Sequence, residues 1–257
     1  MIKENIFTFP ISIGSYQKFI DEIFNLAEHK TSSYVCFANV HMVVEAYNDP
    51  QFNSVVKNAD IVTPDGQPVA FFLQRLKKID QERVAGLDIF PDLLKEAELR
   101  KKSVFFYGAT DEILQMIIDK AKSQFPALKI GGSYSPPFRK LTPEEDLNVI
   151  DKLNKSNSDL IFVALGCPKQ EQWMANHKPQ VRGCMLGIGH AFKVYAGVAK
   201  RSPLWMQRLS LEWAYRLFEE PGRLWKRYFY TNTFFMWLTF KYYLSSVFDS
   251  KEKPKVA

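Results

Sequence analysis

The chain has 257 residues, 46% hydrophobic and 24% charged, an ordinary globular composition with enough apolar material for a sizeable core. Its net charge of +6 is unevenly held: residues 1–199 balance 23 basic against 23 acidic side chains, while residues 200–257 carry 11 against 5. The first ten residues lack the apolar run after a basic start that marks a secretory signal or an N-terminal anchor, so a cytoplasmic protein is expected.

In chain order, an amphipathic stretch over residues 15–30 opens with Ser15 and predicts a helix. Short β-branched or aromatic runs at 34–39 and 59–63 predict two strands, followed by helices over 67–77 and 87–100. A strand at 103–107, a helix at 111–124, a strand at 128–132, a helix at 143–155, a strand at 159–165, a helix at 170–178 and a strand at 182–188 continue the alternation. The pattern implies an α/β fold with a Rossmann-like, mostly parallel sheet and flanking helices. From Arg201 onward it changes to two helical stretches, 204–218 and 224–247, parted by Pro221 and Gly222. The expected organisation is an α/β catalytic domain over 1–200, a basic, aromatic helical appendage over 201–249 and a disordered tail over 250–257. The cysteines Cys36, Cys167 and Cys184 are odd in number and widely spaced, which predicts buried free thiols.

Ligands of parallel α/β sheets bind beyond the carboxyl ends of the strands, so the loops there hold the candidate chemistry. Asp65 and Gly66 end the second strand, where a carboxylate can act as general base towards a hydroxyl nucleophile. Pro-Asp-Gly is also ordinary turn composition. Asn39 and His41 follow the first strand and can hydrogen-bond a sugar or phosphate, or cap the next helix. Gly108 sits at a strand-to-helix turn that can present backbone N–H groups to a nucleotide. The run Gly166-Cys167-Pro168-Lys169-Gln170-Glu171 closes another strand: Lys169 can meet phosphate, and Gln170 and Glu171 can bond ribose, uracil or sugar hydroxyls. A solvated helix start would account for the same charges. Arg83 and Arg201 are further cations, and Gly187-Ile-Gly189 lacks the third glycine of a dinucleotide fingerprint. His29, His41, His177 and His190 show no paired spacing and no Asp-x-Asp occurs, so neither a metal nor another cofactor is expected.

These segments together resemble the WecG/TagA/CpsF family of bacterial glycosyltransferases over roughly residues 35–230. The resemblance rests on their order: the run 59–66 ending in Asp65-Gly66, Glu82-Arg83-Val-Ala-Gly86, Phe-Tyr-Gly108, Gly166 to Trp173, Gly187-Ile-Gly189 with Ala196-Gly197, Lys200-Arg201-Ser-Pro203, Leu211 to Arg216, and Glu220-Pro221-Gly-Arg223. It implies an inverting, metal-independent transfer from a UDP-sugar (N-acetylmannosamine, its uronic acid or glucose) to an undecaprenyl-diphosphate-linked sugar in cell-surface polysaccharide synthesis. It implies Asp65 as the base, Asn39 in the substrate pocket, the Pro-Lys-Gln-Glu turn and Gly108 around the nucleotide, and appendage arginines on the diphosphates. Phe37, where some members carry a hydroxyl residue, and Lys193, where many are acidic or small, depart from the family pattern.

The stretch 228–248 is too polar for a comfortable bilayer span, because Thr231, Asn232, Thr233, Thr239 and Lys241 interrupt it. It is expected to lie on an anionic membrane surface, on the inner face of the cytoplasmic membrane, with Arg216, Arg223, Lys226 and Arg227 near acceptor diphosphate and lipid. Trp205, Trp213 and Leu217 are expected to pack the first helix onto the α/β layer. Three rivals stand beside this reading: a basic, aromatic nucleic-acid binder, an oxidoreductase and a non-catalytic membrane adaptor. The first leaves the strand-end carboxylate unexplained, so no nucleic-acid partner is expected, and an aromatic surface off the membrane predicts some homo-oligomer.

Overall fold

The computed structural model describes residues 1–29 and 32–251. An antiparallel hairpin of β1 (Ile2–Ile6) and β2 (Phe9–Ile13) leads into α1 (Tyr16–Glu28), β3 (Ser33–Ala38), α2 (Val40–Asn48), α3 (Pro50–Lys57), β4 (Ile61–Pro64) and α4 (Gln67–Leu76). Then come α5 (Gly86–Leu99), β5 (Ser103–Gly108), α6 (Asp111–Gln124), β6 (Lys129–Tyr134), α7 (Pro143–Ser156), β7 (Leu160–Ala164), α8 (Lys169–His177), β8 (Cys184–Gly187) and α9 (Ala191–Tyr195). Three helices follow: α10 (Leu204–Arg208), α11 (Glu212–Glu219) and α12 (Pro221–Lys251).

Strands β3 to β8 form one parallel sheet in the order β4-β3-β8-β7-β5-β6. Alternation along each strand feeds two cores. Val35, Phe37, Val104, Phe106, Leu160, Phe162 and Leu186 join side chains of α1, α5, α6 and α9. Tyr34, Cys36, Phe105, Tyr107, Ile161, Val163 and Met185 join those of α2, α3, α4, α7 and α8 on the other face. Burial on both faces explains why these strands read as near-continuous apolar runs. The helices start where their caps allow: Ser15 accepts from the Lys18 N–H, Thr110 from Ile113, and Thr142 with Glu145 forms a reciprocal capping box. The first and last strands of the sheet, β3 and β8, lie side by side, so the strand order reverses there and opens a crevice at their carboxyl ends.

All six predicted sheet strands are present. The hairpin, α2, α3 and α9 were not predicted: β2 carries Pro10, a residue that weakens a strand reading, and the helices are only five to nine residues long. The predicted helix 204–218 is two short helices separated near Ser210, whose φ is +64°. Helix α12 starts at Pro221 and continues through Lys251, so the first residues of the predicted tail are helical, while 252–257 lie outside the described residues.

The division of labour among the C-terminal helices differs from the expected one. Leu224, Tyr228, Thr231, Phe235 and Leu238, spaced by three and four, form the buried face of α12, and Phe235 enters the second core. Tyr47 and Phe234 pack ring to ring at 5.6 Å, and Asn48 donates to the Tyr230 hydroxyl at 3.1 Å. By contrast α10 and α11 bury no residue completely, and Trp205 and Trp213 are exposed. The long helix does the packing because its stripe is continuous, whereas the short helices present too few apolar positions on one side. No helix among the described residues is long and apolar enough to cross a membrane.

Candidate active site

Asp65 immediately follows β4, where its backbone N–H donates to the Ala38 carbonyl at 3.1 Å and so ties the ends of β3 and β4 together. Gly66 follows at φ +117°, a conformation other residues resist, and its pro-Cβ position lies 3.8 Å from Asn39 Cβ. Asn39, Asp65 and Gly66 thus form one rim. Asn39 also caps α2, accepting from the Met42 N–H at 3.2 Å. Burial pushes the Asp65 carboxyl up to about 7, with Glu212 and Asp88 adding to the rise and Arg83 and Arg216 opposing it. A carboxyl so placed is poised to exchange a proton near neutrality.

Two histidines share the crevice. His41, in the first turn of α2, lies 3.5 Å from Glu45, and burial together with Arg227 and Arg216 lowers it to about 4. His190, directly after Gly189, is lowered to about 4 by burial and by Arg216, against the pull of Glu220. Arg216 therefore influences Asp65, His41 and His190 alike, which places α11 over the strand ends. The Arg227 Nε is buried without a hydrogen-bond partner, and the charge of the same guanidinium disfavours protonation of His41. Two histidines held neutral, the unpartnered Arg227 Nε and the charge of Arg216 make an anion-accepting crevice.

The 166–171 turn is built differently from the sequence expectation. Gln170 is buried: its Oε1 accepts from the Gly166 N–H at 3.1 Å, and its Nε2 donates to the Gly187 carbonyl at 2.6 Å and to Glu171 at 2.7 Å. Glu171 is fully buried and burial raises it to about 7. Gln170 thereby lashes the end of β7 to the end of β8, while Glu171 keeps one carboxylate oxygen, Oε2, buried without a hydrogen-bond partner. Lys169 is exposed, Pro168 follows a cis peptide bond, and Gly166 is open to solvent with φ +83°. Gly189 packs on Gln170 and donates to the Val163 carbonyl at 3.2 Å.

A family model for the glycosyl transferase WecG/TagA/CpsF family matches residues 4–247. The chain belongs to that family. Among curated proteins it is 36% identical over 203 residues to an N-acetylglucosaminyldiphosphoundecaprenol N-acetyl-beta-D-mannosaminyltransferase of Bacillus spizizenii, covering 78% of this chain and 76% of that one. It is 32% identical over 229 residues to the Bacillus subtilis protein of the same name, covering 88% and 87%. It is 28% identical over 195 residues to that of Staphylococcus aureus, covering 76% and 73%. The protein is thus a glycosyltransferase of the WecG/TagA/CpsF family on a parallel α/β sheet.

In this glycosyltransferase the fold gathers Asp65, Gly66, Asn39, His41 and Gly189 with Arg216 and Arg227 at the β3, β4 and β8 ends. Arg83 adjoins them, yet its guanidinium is engaged by Asp88 at 2.7 Å and by Glu212, while Arg201 pairs with Asp88. Arg223 pairs with Glu220, and Lys226 is exposed over the Trp225 ring at 5.5 Å. Gly108 serves strand packing: a Cβ there would stand 2.5 Å from the Ala164 carbonyl oxygen. Sequence reading missed His190, Asp88 and Glu212. Only His190 carried a signal, its place right after a strand-end glycine. The thiols are free, Cys36 and Cys184 buried and Cys167 partly so. Among the described residues no group of three or more His, Cys, Asp or Glu side chains is arranged to hold a metal.

Proposed function

We propose that this glycosyltransferase transfers a sugar, with inversion, from a UDP-sugar to a sugar carried on a polyprenyl diphosphate in cell-surface polysaccharide synthesis. The observation that carries the reading is Asp65, a half-buried carboxyl at the end of β4 that burial pushes up to about 7, with Arg216 of α11 near enough for its charge to act on it. The acceptor hydroxyl gives its proton to Asp65 as its oxygen bonds the anomeric carbon from one face. The bond from that carbon to the phosphate oxygen breaks on the other, and the nucleoside diphosphate leaves with the electron pair. Arg216 and Arg227 meet the diphosphate charge without a bound metal. Lys169 and the backbone of the Gly166 turn border the nucleotide, and the donor sugar we favour is N-acetylmannosamine, the one in the relatives' names.

The acceptor's lipid sets the second half of the proposal, a peripheral seat on the inner face of the cytoplasmic membrane. Opposite its buried face, α12 exposes Trp225, Phe229, Met236 and Phe240, and α10 exposes Leu204, Trp205 and Leu209. With Lys226 and Lys241 alongside, this is the composition of an interfacial helix.

The test is release of UDP from a panel of UDP-sugars with a short prenyl-diphosphate-sugar acceptor. Asp65→Asn should lose about 10²–10⁴ in kcat with its fold intact, and wild-type kcat/KM should climb with pH to a plateau above about 7. Undiminished turnover by the variant places the base elsewhere.

A further inference from the structure

Four charged side chains join the C-terminal helices to the α/β layer in an unbroken line. Arg201, before α10, pairs with Asp88 of α5; Asp88 pairs with Arg83 at 2.7 Å; Arg83 pairs with Glu212 at the start of α11. The Arg83 side chain is only 15% exposed, and both its terminal nitrogens are taken by carboxylates. Its loop is pinned to β4, since the Val84 N–H donates to the Pro64 carbonyl at 3.0 Å and the Thr63 hydroxyl donates to the Val84 carbonyl at 2.9 Å. Arg83 therefore stays with the strand end whatever α11 does. Pro64 directly precedes Asp65, and the charged groups felt by that carboxylate are Arg83 beside it, Asp88 from α5, and Glu212 and Arg216 from α11.

We propose that Glu212 is a positioning residue of the transfer: it seats α11 over the crevice and occupies Arg83, leaving Asp65 free to serve as a strong enough base. The proposal rests on reading Asp65 as the base. Without Glu212, Arg83 keeps Asp88 on one terminal nitrogen but has the other left free, and Asp65 is the further carboxylate whose charge it already feels; an arginine–carboxylate pair there holds the proton acceptor in its charged, weakly basic form. Glu212 prevents this by satisfying the cation first, and its own negative charge facing Asp65 acts in the same direction.

The experiment uses the full chain with Glu212→Gln and Glu212→Asp. The Asp65 carboxyl is followed by ¹³C NMR against pH without substrate, and kcat and KM are measured against pH with UDP-sugar and acceptor. In Glu212→Gln the Asp65 midpoint and the acid limb of kcat should move down together by about one pH unit, with plateau kcat falling roughly 3- to 10-fold and donor KM changing far less. Glu212→Asp should recover part of both. An Asp65 titration unmoved in Glu212→Gln overturns this inference, even where Tm and activity fall, because the contact would then be merely structural. Wild-type turnover by Asp65→Asn is a separate failure, of the base assignment itself.

Discussion

Asp65→Asn offers a test of the crevice that needs no substrate. Burial raises this carboxyl from 3.8 to about 7, so ionising it in the folded chain is disfavoured by about 3 pH units, or ~4 kcal/mol as a ceiling. The side chain keeps some contact with water, which screens the effect, and about 2 kcal/mol is the expected size. The sign follows from proton counting. Between the unfolded value and the folded one the native state holds a proton that the unfolded chain has lost, so wild-type stability declines as pH rises through that window and levels off above it. Asparagine has no such proton. The variant should therefore match wild type near pH 4 and exceed its Tm by about 4–6 °C at pH 8, measured by calorimetry across that range. Glu171, likewise raised to about 7, is common to both proteins and cancels in the difference. A Tm difference that is independent of pH, or a variant less stable at pH 8, refutes the reasoning.

Gly108→Ala forces a Cβ to 2.5 Å from the Ala164 carbonyl oxygen at φ +110°, so a loss of about 2–4 kcal/mol is expected, read as a clear drop in Tm. A change within the error of the melt would mean that β5 and β7 part easily at that end. Phe229→Ser with Phe240→Ser removes two exposed rings from α12, 73% and 60% accessible. Binding to anionic vesicles in a flotation assay should weaken by about 10- to 100-fold while turnover of a water-soluble acceptor survives. Light scattering without detergent should show the wild type self-associating and the double variant monomeric. Vesicle binding equal to wild type would remove α12 from the membrane contact.

The sheet was legible because its central strands are buried on both faces, which leaves apolar runs such as 160–164 that a central parallel strand tolerates. Asp65 and Gly66 were legible for a related reason, since in such sheets chemistry is confined to strand ends. Gln170 and Glu171 were harder. A polar pair at a helix start looks solvated or ligand-facing in one dimension, and only the nearness of Gly166 and Gly187 in space reveals a clamp. Glu212 was illegible because its partner Arg83 is 129 residues away, and charge pairing across such a distance leaves no local trace; Asp88, only five residues from Arg83, read as an ordinary acidic residue in the first turn of a helix. The short helices α2 and α3 escaped because tertiary contact, more than intrinsic pattern, stabilises segments of eight or nine residues.

The hairpin turn holds a last consequence. Phe7, at φ +52°, stacks edge-on against Phe72 of α4 at 4.9 Å and against Phe235 and Tyr242 of α12 at 5.9 and 6.5 Å. The opening and closing segments of the fold therefore brace each other through a single ring, across nearly the whole sequence. Disturbing the opening hairpin would loosen the helix that brings Arg227 to the crevice, so damage done at residue 7 would surface as a fault in handling diphosphate.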